Sequence, residues 1–319
     1  MKLCKYLLFG WILFLWVPSR SWGEVKNPDA LLELTRQKAK ETDALLQQIE
    51  EDNAIMAKYV LLLFSNPPEK PIYNPHIYTF DETGVYGDHQ QKSQTSVWFK
   101  GRSGSLPEEV IKQIRATESM EKRYKELKKR YDYIKWIYLI TAEGVIRVYP
   151  REAKAKYPGD SDPRESLAYV WAGPEKNPQH QTVWTEPYKD PQEKWMVTCS
   201  TPLYEKGTFL GVQALDITLE ELKDKVLKVK AGKSSVALLI DKKGNILAQS
   251  SQTKGDKKEE SFNYTHLASL PDESIQGIIQ KLSEGREGVV KLKIQDQHRY
   301  FAFVPVKTTG WIYGIISKM

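Results

Sequence analysis

The strongest constraint on the fold is a short pattern that the chain carries twice, one hundred residues apart. Residues 136–146 and 236–246 each contain an apolar run, a turn with a glycine, and a second apolar run. Four pairs are identical in register: Leu139/Leu239, Ile140/Ile240, Gly144/Gly244 and Ile146/Ile246. The spacing P-x4-G-x3-G also occurs twice, at Pro202, Gly207 and Gly211 and again at Pro305, Gly310 and Gly314. Two matches in the same order predict an internal repeat of one module.

Each copy predicts a β-hairpin, a variable middle, and two antiparallel strands joined by a short turn, which makes five strands if the middle adds one. The middle is a polar loop over residues 150–181 in the first copy and a helix near residues 271–284 in the second. We expect the first glycine of P-x4-G-x3-G to form a tight turn and the second to let a helix approach closely. Antiparallel sheets flanked by helices give an α+β fold with two tandem PAS-like modules.

A long helix is predicted to precede the two modules. It begins with Asn27 as a cap and Pro28 at the first helical position, and it ends before Pro67. Its length is on the order of 55 Å, so it runs past more than one domain or pairs with another helix. The predicted division of the chain is therefore a signal peptide (1–23), the long helix (24–66), a first module (67–230) and a second module (231–319).

Two further helix starts are visible inside the first module. Residues 105–108 read Ser-Leu-Pro-Glu, a capping box, and predict one helix that continues to Tyr131. Thr218 and Glu221 form a second capping box. We expect the helix after Thr218 to carry the chain from the first sheet to the second.

The first 23 residues predict export from the cytoplasm. Lys2 and Lys5 precede an apolar run at residues 6–17, and small residues stand at positions 21 and 23, as in a secretory signal. This run is shorter than the roughly 20 residues needed to cross a bilayer, so a cleaved signal is favoured over an uncleaved N-terminal anchor. We therefore expect a periplasmic or secreted protein.

Charge and motif content argue against nucleic-acid binding and catalysis. Without the three basic residues of the signal, Lys2, Lys5 and Arg20, 44 basic residues remain against 41 acidic ones. This net positive charge is too small to indicate a nucleic-acid partner. The five histidines are scattered, and neither a zinc-binding helix nor a G-x-S-x-G elbow occurs. We expect no catalytic residues, no metal and no cofactor. A secreted hydrolase with a non-local triad is the less favoured alternative.

Several stretches give the chain a resemblance to a known family. They are Phe80 to Tyr86, Val145 to Pro150, Ala172-Gly173-Pro174, Trp184 to Asp190, Gly211 to Asp216, and Thr309-Gly310-Trp311. The chain resembles a double Cache domain, the extracytoplasmic sensor of bacterial chemoreceptors and sensor histidine kinases. The resemblance implies a membrane-distal first module that holds a small ligand and a membrane-proximal second module that relays the signal. It also implies a homodimer contact through the first helix and a role in signal transduction or chemotaxis.

The resemblance also implies candidate ligand-binding residues. Tyr188, Asp190 and Asp216 match the amino-acid-binding version of the family, and Tyr169 keeps one residue of its earlier block. That block departs from the family where Ala168 replaces a tryptophan and Ser166 an arginine, while Arg164 is out of register. Two aspartates near aromatic rings favour a cationic head group. The candidate site is therefore Tyr169, Tyr188, Asp190, Asp216, Trp184 and Arg164.

Each candidate also has a purely structural interpretation. Tyr188 and Trp184 fit ordinary sheet packing, Asp190 before Pro191 fits a turn, and Asp216 fits a helix cap. The function predicted from the sequence is binding of an amine or amino acid-like solute, with output through a membrane receptor, a kinase or a homodimer. The alternative is a structural or interaction module with the same fold and a closed pocket.

Overall fold

The computed structural model describes residues 27–67, 78–82, 84–88, 93–100, 106–151, 162–190, 193–228, 235–250, 265–269, 275–294 and 297–319. The predicted signal at residues 1–23 and the capping residue Ser105 lie outside these ranges. Across the described ranges, no helix is both long enough and apolar enough to cross a membrane.

The first helix forms as predicted. Helix α1 (Pro28–Ser65) has 38 residues, and the Asn27 side chain accepts a hydrogen bond from the backbone N–H of Asp29 at 2.9 Å. This bond satisfies one of the donors that a helix start leaves free. Apolar residues from Leu31 to Leu63 line the buried side of the helix along its whole length.

The first sheet contains nine strands within the described residues. They are β1 (Tyr78–Phe80), β2 (Val85–Asp88), β3 (Ser96–Lys100), β4 (Ile134–Thr141), β5 (Val145–Tyr149), β6 (Val183–Trp184), β7 (Tyr188–Lys189), β8 (Trp195–Glu205) and β9 (Thr208–Thr218). The strand order is β1-β2-β3-β5-β4-β9-β8-β6, and β7 also pairs with β8. The helices of this part are α2 (Glu108–Ala116), α3 (Met120–Arg130) and α4 (Leu167–Ala172).

The second sheet follows helix α5 (Leu219–Val226). Its elements are β10 (Val236–Ile240), β11 (Asn245–Gln249), β12 (Thr265–His266), α6 (Ile275–Ser283), β13 (Gly288–Ile294), β14 (Gln297–Pro305) and β15 (Ile312–Lys318). The strand order is β12-β11-β10-β15-β14-β13. The order β11-β10-β15-β14 matches β5-β4-β9-β8 of the first sheet, so the predicted α+β repeat of two antiparallel sheets is confirmed.

The strand register fixes which residues of the two sheets are equivalent. Ile140 lies opposite Val212 and Ile240 lies opposite Ile312, so the final strands are equivalent with an offset of 100 residues. Gly211 lies opposite Thr141, whereas Gly314 lies opposite Leu238. The two P-x4-G-x3-G triplets are therefore three residues out of structural register, because their offset in the sequence is 103.

The second glycine of each triplet also differs from the expectation. A Cβ at Gly211 would collide with the backbone of Ile140 on the neighbouring strand, and one at Gly314 would collide with the Phe301 ring. A strand and a side chain, rather than a helix, therefore approach these positions. The first glycines behave as expected, since Gly207 and Gly310 have φ of 83° and 70° in the turns.

Helix α1 packs against β8 and β9 of the first sheet and against β13, β14 and β15 of the second. One apolar core runs along it and contains Leu139, Val197 and Leu215 from the first sheet and Leu239, Val304 and Tyr313 from the second. The length of α1 is thus used to span both modules. Cys199 lies buried in this core as a free thiol, and burial raises its pKa.

The prediction of a single helix from residue 105 to Tyr131 is wrong. The structure has two helices there, α2 and α3, and the first ends at its C-cap, Thr117. The fully buried Arg147 of β5 donates from Nη2 to the Ile114 carbonyl at 2.9 Å and from Nε to Thr117 Oγ1 at 3.0 Å. The Ile114 carbonyl is thereby engaged by a side chain instead of the next helical turn. Helix α4 likewise forms inside the segment predicted as a polar loop, with the side chain of Ser166 capping it.

Candidate functional site

One face of the first sheet carries polar side chains within an apolar cluster. Because side chains alternate along a strand, Ile137 and Leu139 of β4 face the core along α1, while Trp136 and Tyr138 face the other way. The second cluster also includes Val148, Ala168, Met196 and Ala214. We call this side of the sheet the site face.

Asp216 stands at the centre of the polar groups on the site face. It lies opposite Trp136 of β4 and Thr198 of β8 in the strand register. Its Oδ1 accepts hydrogen bonds from the Tyr138 hydroxyl at 2.9 Å and from the Thr198 hydroxyl at 2.7 Å. The Tyr188 hydroxyl lies 2.8 Å from Thr198 Oγ1 and adds a third hydroxyl to the group.

Burial raises the pKa of Asp216 to about 7. The hydrogen bonds from Thr198, Tyr138 and Tyr188 act against this shift, and the negative charge of Asp190 adds to it. The residue is 4% exposed, and within the described part of the chain no Lys or Arg forms an ion pair with it. A bound cation would favour the ionised carboxylate.

Asp190 is close to this group and also closes a turn. Its Oδ1 accepts from the backbone N–H of Lys194 at 2.7 Å, and its own N–H donates to the Lys194 carbonyl at 2.9 Å. These bonds match the turn interpretation of the sequence. The residue is nevertheless buried, and its negative charge contributes to the raised pKa of Asp216.

Asp216 does not cap the following helix. Thr218 is the N-cap of α5, where its hydroxyl oxygen accepts from the Glu221 N–H at 3.1 Å, as the predicted capping box requires. Asp216 lies within β9 instead, with its side chain on the site face. Its burial therefore has no role in capping.

Tyr169 joins the cluster at a distance from Asp216. It is half-buried on α4, and its ring packs edge-on against Phe209 with 5.4 Å between the ring centroids. Phe209 precedes Asp216 by seven residues on β9, which is on the order of 23 Å along a strand. Tyr169 thus lies toward the turn that joins β8 and β9.

Arg164 forms an ion pair with a carboxylate other than Asp216. Its Nη2 lies 2.6 Å from Asp162 Oδ2, and its Nε donates to Asp162 Oδ1 at 2.9 Å. Its Nη1 donates to the Ala142 carbonyl at 3.2 Å, in the turn between β4 and β5. The pair raises the pKa of Arg164 and lowers that of Asp162, so this guanidinium is already neutralised.

Trp184 lies on the opposite side of the first sheet from Asp216, which corrects its placement in the predicted site. Its Nε1 donates to Glu50 Oε1 on α1 at 2.9 Å, and its ring packs against Trp311 of the second module. It belongs to the core along α1. Val183, one residue earlier, packs with the site face instead.

Three residues of the site face were not predicted from the sequence: Tyr138, Thr198 and Trp136. A signal for two of them was present in the repeat, because Trp136 and Tyr138 replace Val236 and Leu238 of an otherwise apolar strand. Thr198 has no such signal, since its place beside Asp216 depends on the pairing of β8 with β9.

Comparisons with known proteins agree with this architecture. The family model of the Cache domain matches residues 31–319. The methyl-accepting chemotaxis protein McpC of Bacillus subtilis (strain 168) is 34% identical over 139 residues, which are 43% of this chain and 20% of that protein. The matched segment is thus a fifth of the length of that receptor.

Two solved structures show the same fold over most of the chain. The ligand-binding domain of the Campylobacter jejuni chemoreceptor Tlp3 in complex with L-norvaline has a TM-score of 0.51 and 16% identity, and the match covers 91% of both chains. The ligand-binding domain of the Pseudomonas fluorescens chemoreceptor CtaA in complex with L-isoleucine has a TM-score of 0.52 and 17% identity, with the same coverage.

Proposed function

This chain belongs to the Cache domain family, and from that premise we propose that its first module binds a small solute with an amino group at Asp216. Cache domains are extracytoplasmic sensor domains, typically ligand-binding modules without enzymatic activity. The ligand class proposed here is an amine or an amino acid. The proposed modules are residues 67–230 for binding and residues 231–319 for relaying the bound state.

The observation that carries the proposal is the buried Asp216 carboxyl group. A carboxylate removed from water is costly unless it is paired with a cation. Tyr138 and Thr198 supply hydrogen bonds but no positive charge. An ammonium group would supply that charge and would draw the pKa of Asp216 back below 7, so binding and ionisation support each other.

The aromatic surroundings and the second carboxyl group also suit an ammonium ligand. Trp136, Tyr138 and Tyr188 are on the site face, and cations are attracted to aromatic ring faces. Asp190 adds negative charge to the same region. The chemoreceptor domains Tlp3 and CtaA, crystallised with L-norvaline and L-isoleucine, support an amino acid as the ligand class.

The ligand's carboxylate, where it has one, is not expected to bind Arg164. That guanidinium is engaged by Asp162 and by the Ala142 carbonyl. Recognition would therefore depend mainly on the amino group. We propose that the protein acts outside the cytoplasm, in the periplasm or as a secreted protein, and that its output passes through a membrane receptor, a kinase or a homodimer formed along α1.

Isothermal titration calorimetry at pH 8 tests this proposal. The purified chain from residue 24 onward is titrated with the twenty L-amino acids, a set of primary amines, and carboxylic acids that lack an amino group. We expect binding of amino-bearing compounds alone, and a loss of at least about tenfold in affinity in Asp216→Asn. Asp132→Asn is the matched control, because that carboxylate is 80% exposed on the surface.

Two results would contradict the proposal. Tight binding of an acid without an amino group would assign the site to anions. Absence of binding by every compound in the set would favour the interaction module with a closed pocket.

A further inference from the structure

Residues 183–190, which we call the bridging segment, contact the site face and the second module at the same time. The segment contains β6 and β7, and both strands pair with β8. Tyr188 and Asp190 at its end belong to the candidate site. Trp184 and Glu186 instead contact Trp311 and Lys243 of the second module.

The bridging segment is joined to the Asp216 site by hydrogen bonds to Thr198. The N–H of Thr185 donates to the Thr198 carbonyl at 2.9 Å, and the N–H of Thr198 donates to Thr185 Oγ1 at 3.0 Å. Both threonines are buried. The hydroxyl of Thr198 in turn donates to Asp216, so a shift of that carboxyl group acts on the backbone of the bridging segment through one residue.

The bridging segment is joined to the second module by Trp184, the residue next to Thr185. The ring of Trp184 lies 5.8 Å from that of Trp311 between centroids, at an angle of 63°. Trp311 precedes β15 in the turn after β14, and its carbonyl accepts from the Val306 N–H at 2.7 Å. Glu186 forms an ion pair with Lys243 in the turn between β10 and β11, a second contact with the same module.

Helix α1 fixes both sides of this contact. Glu50 accepts the indole N–H of Trp184, and Asp43, seven residues earlier on the helix, accepts from the Thr308 N–H at 2.8 Å. Residues seven apart lie on one face of a helix. Trp184 and the Trp311 turn are therefore both held by the same face of α1.

We propose that the bridging segment couples the state of the Asp216 site to the second module, and that Trp184 is the residue that transmits it. A bulky, rigid indole buried between two modules cannot move without moving what it packs against, because protein cores are close-packed. A displacement of β6 against β8 therefore changes the packing at Trp311. The biological meaning of this coupling rests on the proposed function, but the coupling itself does not require a ligand.

The test uses the charge at Asp216 as the perturbation and the indole of Trp311 as the reporter. The protein is labelled with 5-fluorotryptophan and studied by 19F NMR at pH 8, where the Trp311 resonance is assigned by its loss in Trp311→Phe. We expect Asp216→Asn to shift the Trp311 resonance by more than its linewidth. In a Trp184→Phe background, we expect the same substitution to shift it about threefold less or not at all.

Matched variants separate the role of Trp184 from a general effect. Trp171→Phe removes an indole from α4 of the same module, and the shift at Trp311 should persist in it. Thr185→Val removes the hydroxyl that accepts from Thr198 while keeping Trp184, and the shift should decrease in it. A pH step is avoided as the perturbation because burial also raises the pKa of Glu50 beside Trp184.

The results of the 19F NMR experiment can be distinguished from those of the calorimetry. A shift at Trp311 of equal size with and without Trp184 would overturn the proposal, as would the absence of any shift in the parent background. If Trp184→Phe fails to fold, the Thr185→Val result decides in the same way. Neither overturning result bears on whether Asp216 binds an amino group, and failure of ligand binding leaves the coupling measurable.

Discussion

The two modules carry different chemistry at the same places in the same sheet. The strand register makes Tyr138 equivalent to Leu238 and Asp216 equivalent to Ile316. Thr198, opposite Asp216, corresponds to Phe301, opposite Ile316. Three polar side chains of the first module, the Asp216 carboxyl group and the two hydroxyl groups bonded to it, are thus three apolar side chains in the second.

The second module fills the equivalent space with its own side chains. Phe301 packs over Gly314, where any Cβ would collide with its ring. Residues of α6, including Ile275, Ile278 and Leu282, complete an apolar cluster with Leu238 and Ile316. The fold thus supplies the same position in both modules, and the side chains determine whether that position is polar or packs as core.

The largest expected effect comes from moving the carboxyl group into the second module. Ile316→Asp would bury a charge beside Leu238 and Phe301, which offer no hydrogen-bond donor comparable to Tyr138 and Thr198. We expect a loss of about 4 kcal/mol in the free energy of unfolding at pH 7.5, or failure to fold. Urea unfolding followed by circular dichroism measures it.

Ile316→Val is the control for loss of packing alone, with an expected cost of about 1 kcal/mol. A loss in Ile316→Asp no larger than that of the control would mean that the second module tolerates a carboxylate. The difference in polarity between the site face and the equivalent face of the second module would then have no energetic basis.

The next effect concerns the pH dependence that Asp216 confers on the ligand-free protein. Its pKa is about 7 when folded and near the ordinary value of 3.8 when unfolded, so the folded state binds the proton more tightly. The parent protein should therefore lose stability as pH rises from about 4 to 7, and Asp216→Asn should not. The shift corresponds to at most about 4 kcal/mol, and we expect ~2 kcal/mol because water entry relaxes buried charges.

Urea titrations of both proteins at pH 5, 6.5 and 8 measure this difference. Asp216→Asn should gain stability relative to the parent as the pH rises, so the difference should be largest at pH 8 and smallest at pH 5. A difference in the free energy of unfolding that is the same at all three pH values would contradict this expectation. It would show that Asp216 titrates below pH 5 and that its hydrogen bonds offset the cost of burying the carboxylate.

The sequence was sufficient for the elements whose signals are local. The cap at Asn27, the glycine turns at Gly144 and Gly244, and the repeat of the first hairpin all appear in the structure. The division of the second helix was not predictable in this way. It depends on Arg147, which comes from a strand thirty residues further along and reaches the helix only in the folded protein.

The candidate site shows the same limit. The Tyr188 hydroxyl bonds to Thr198 beside Asp216, and the charge of Asp190 acts on that carboxyl group. Trp184 and Tyr188 are four residues apart and would share a face in one continuous strand. The structure instead divides them into β6 and β7, with Pro187 between, so the alternation is interrupted and Trp184 faces α1. Thr198 was missed because only the pairing of β8 with β9 places it beside Asp216.

The smallest expected effect isolates one hydrogen bond of the site. Tyr138→Phe keeps the ring but removes the hydroxyl that donates to Asp216, and its second-module counterpart Leu238 also lacks a donor. Because that bond favours the ionised carboxylate, its loss should raise the pKa of Asp216 further, with a free-energy effect of about 1 kcal/mol. The carboxyl 13C chemical shift of Asp216, followed by NMR from pH 5 to 9 and assigned with Asp216→Asn, measures the midpoint of its titration directly.

Tyr169→Phe is the control, since that ring packs on Phe209 and should leave the titration midpoint of Asp216 unchanged. A midpoint that stays in place in Tyr138→Phe would mean that Thr198 and Tyr188 alone set the ionisation of the site.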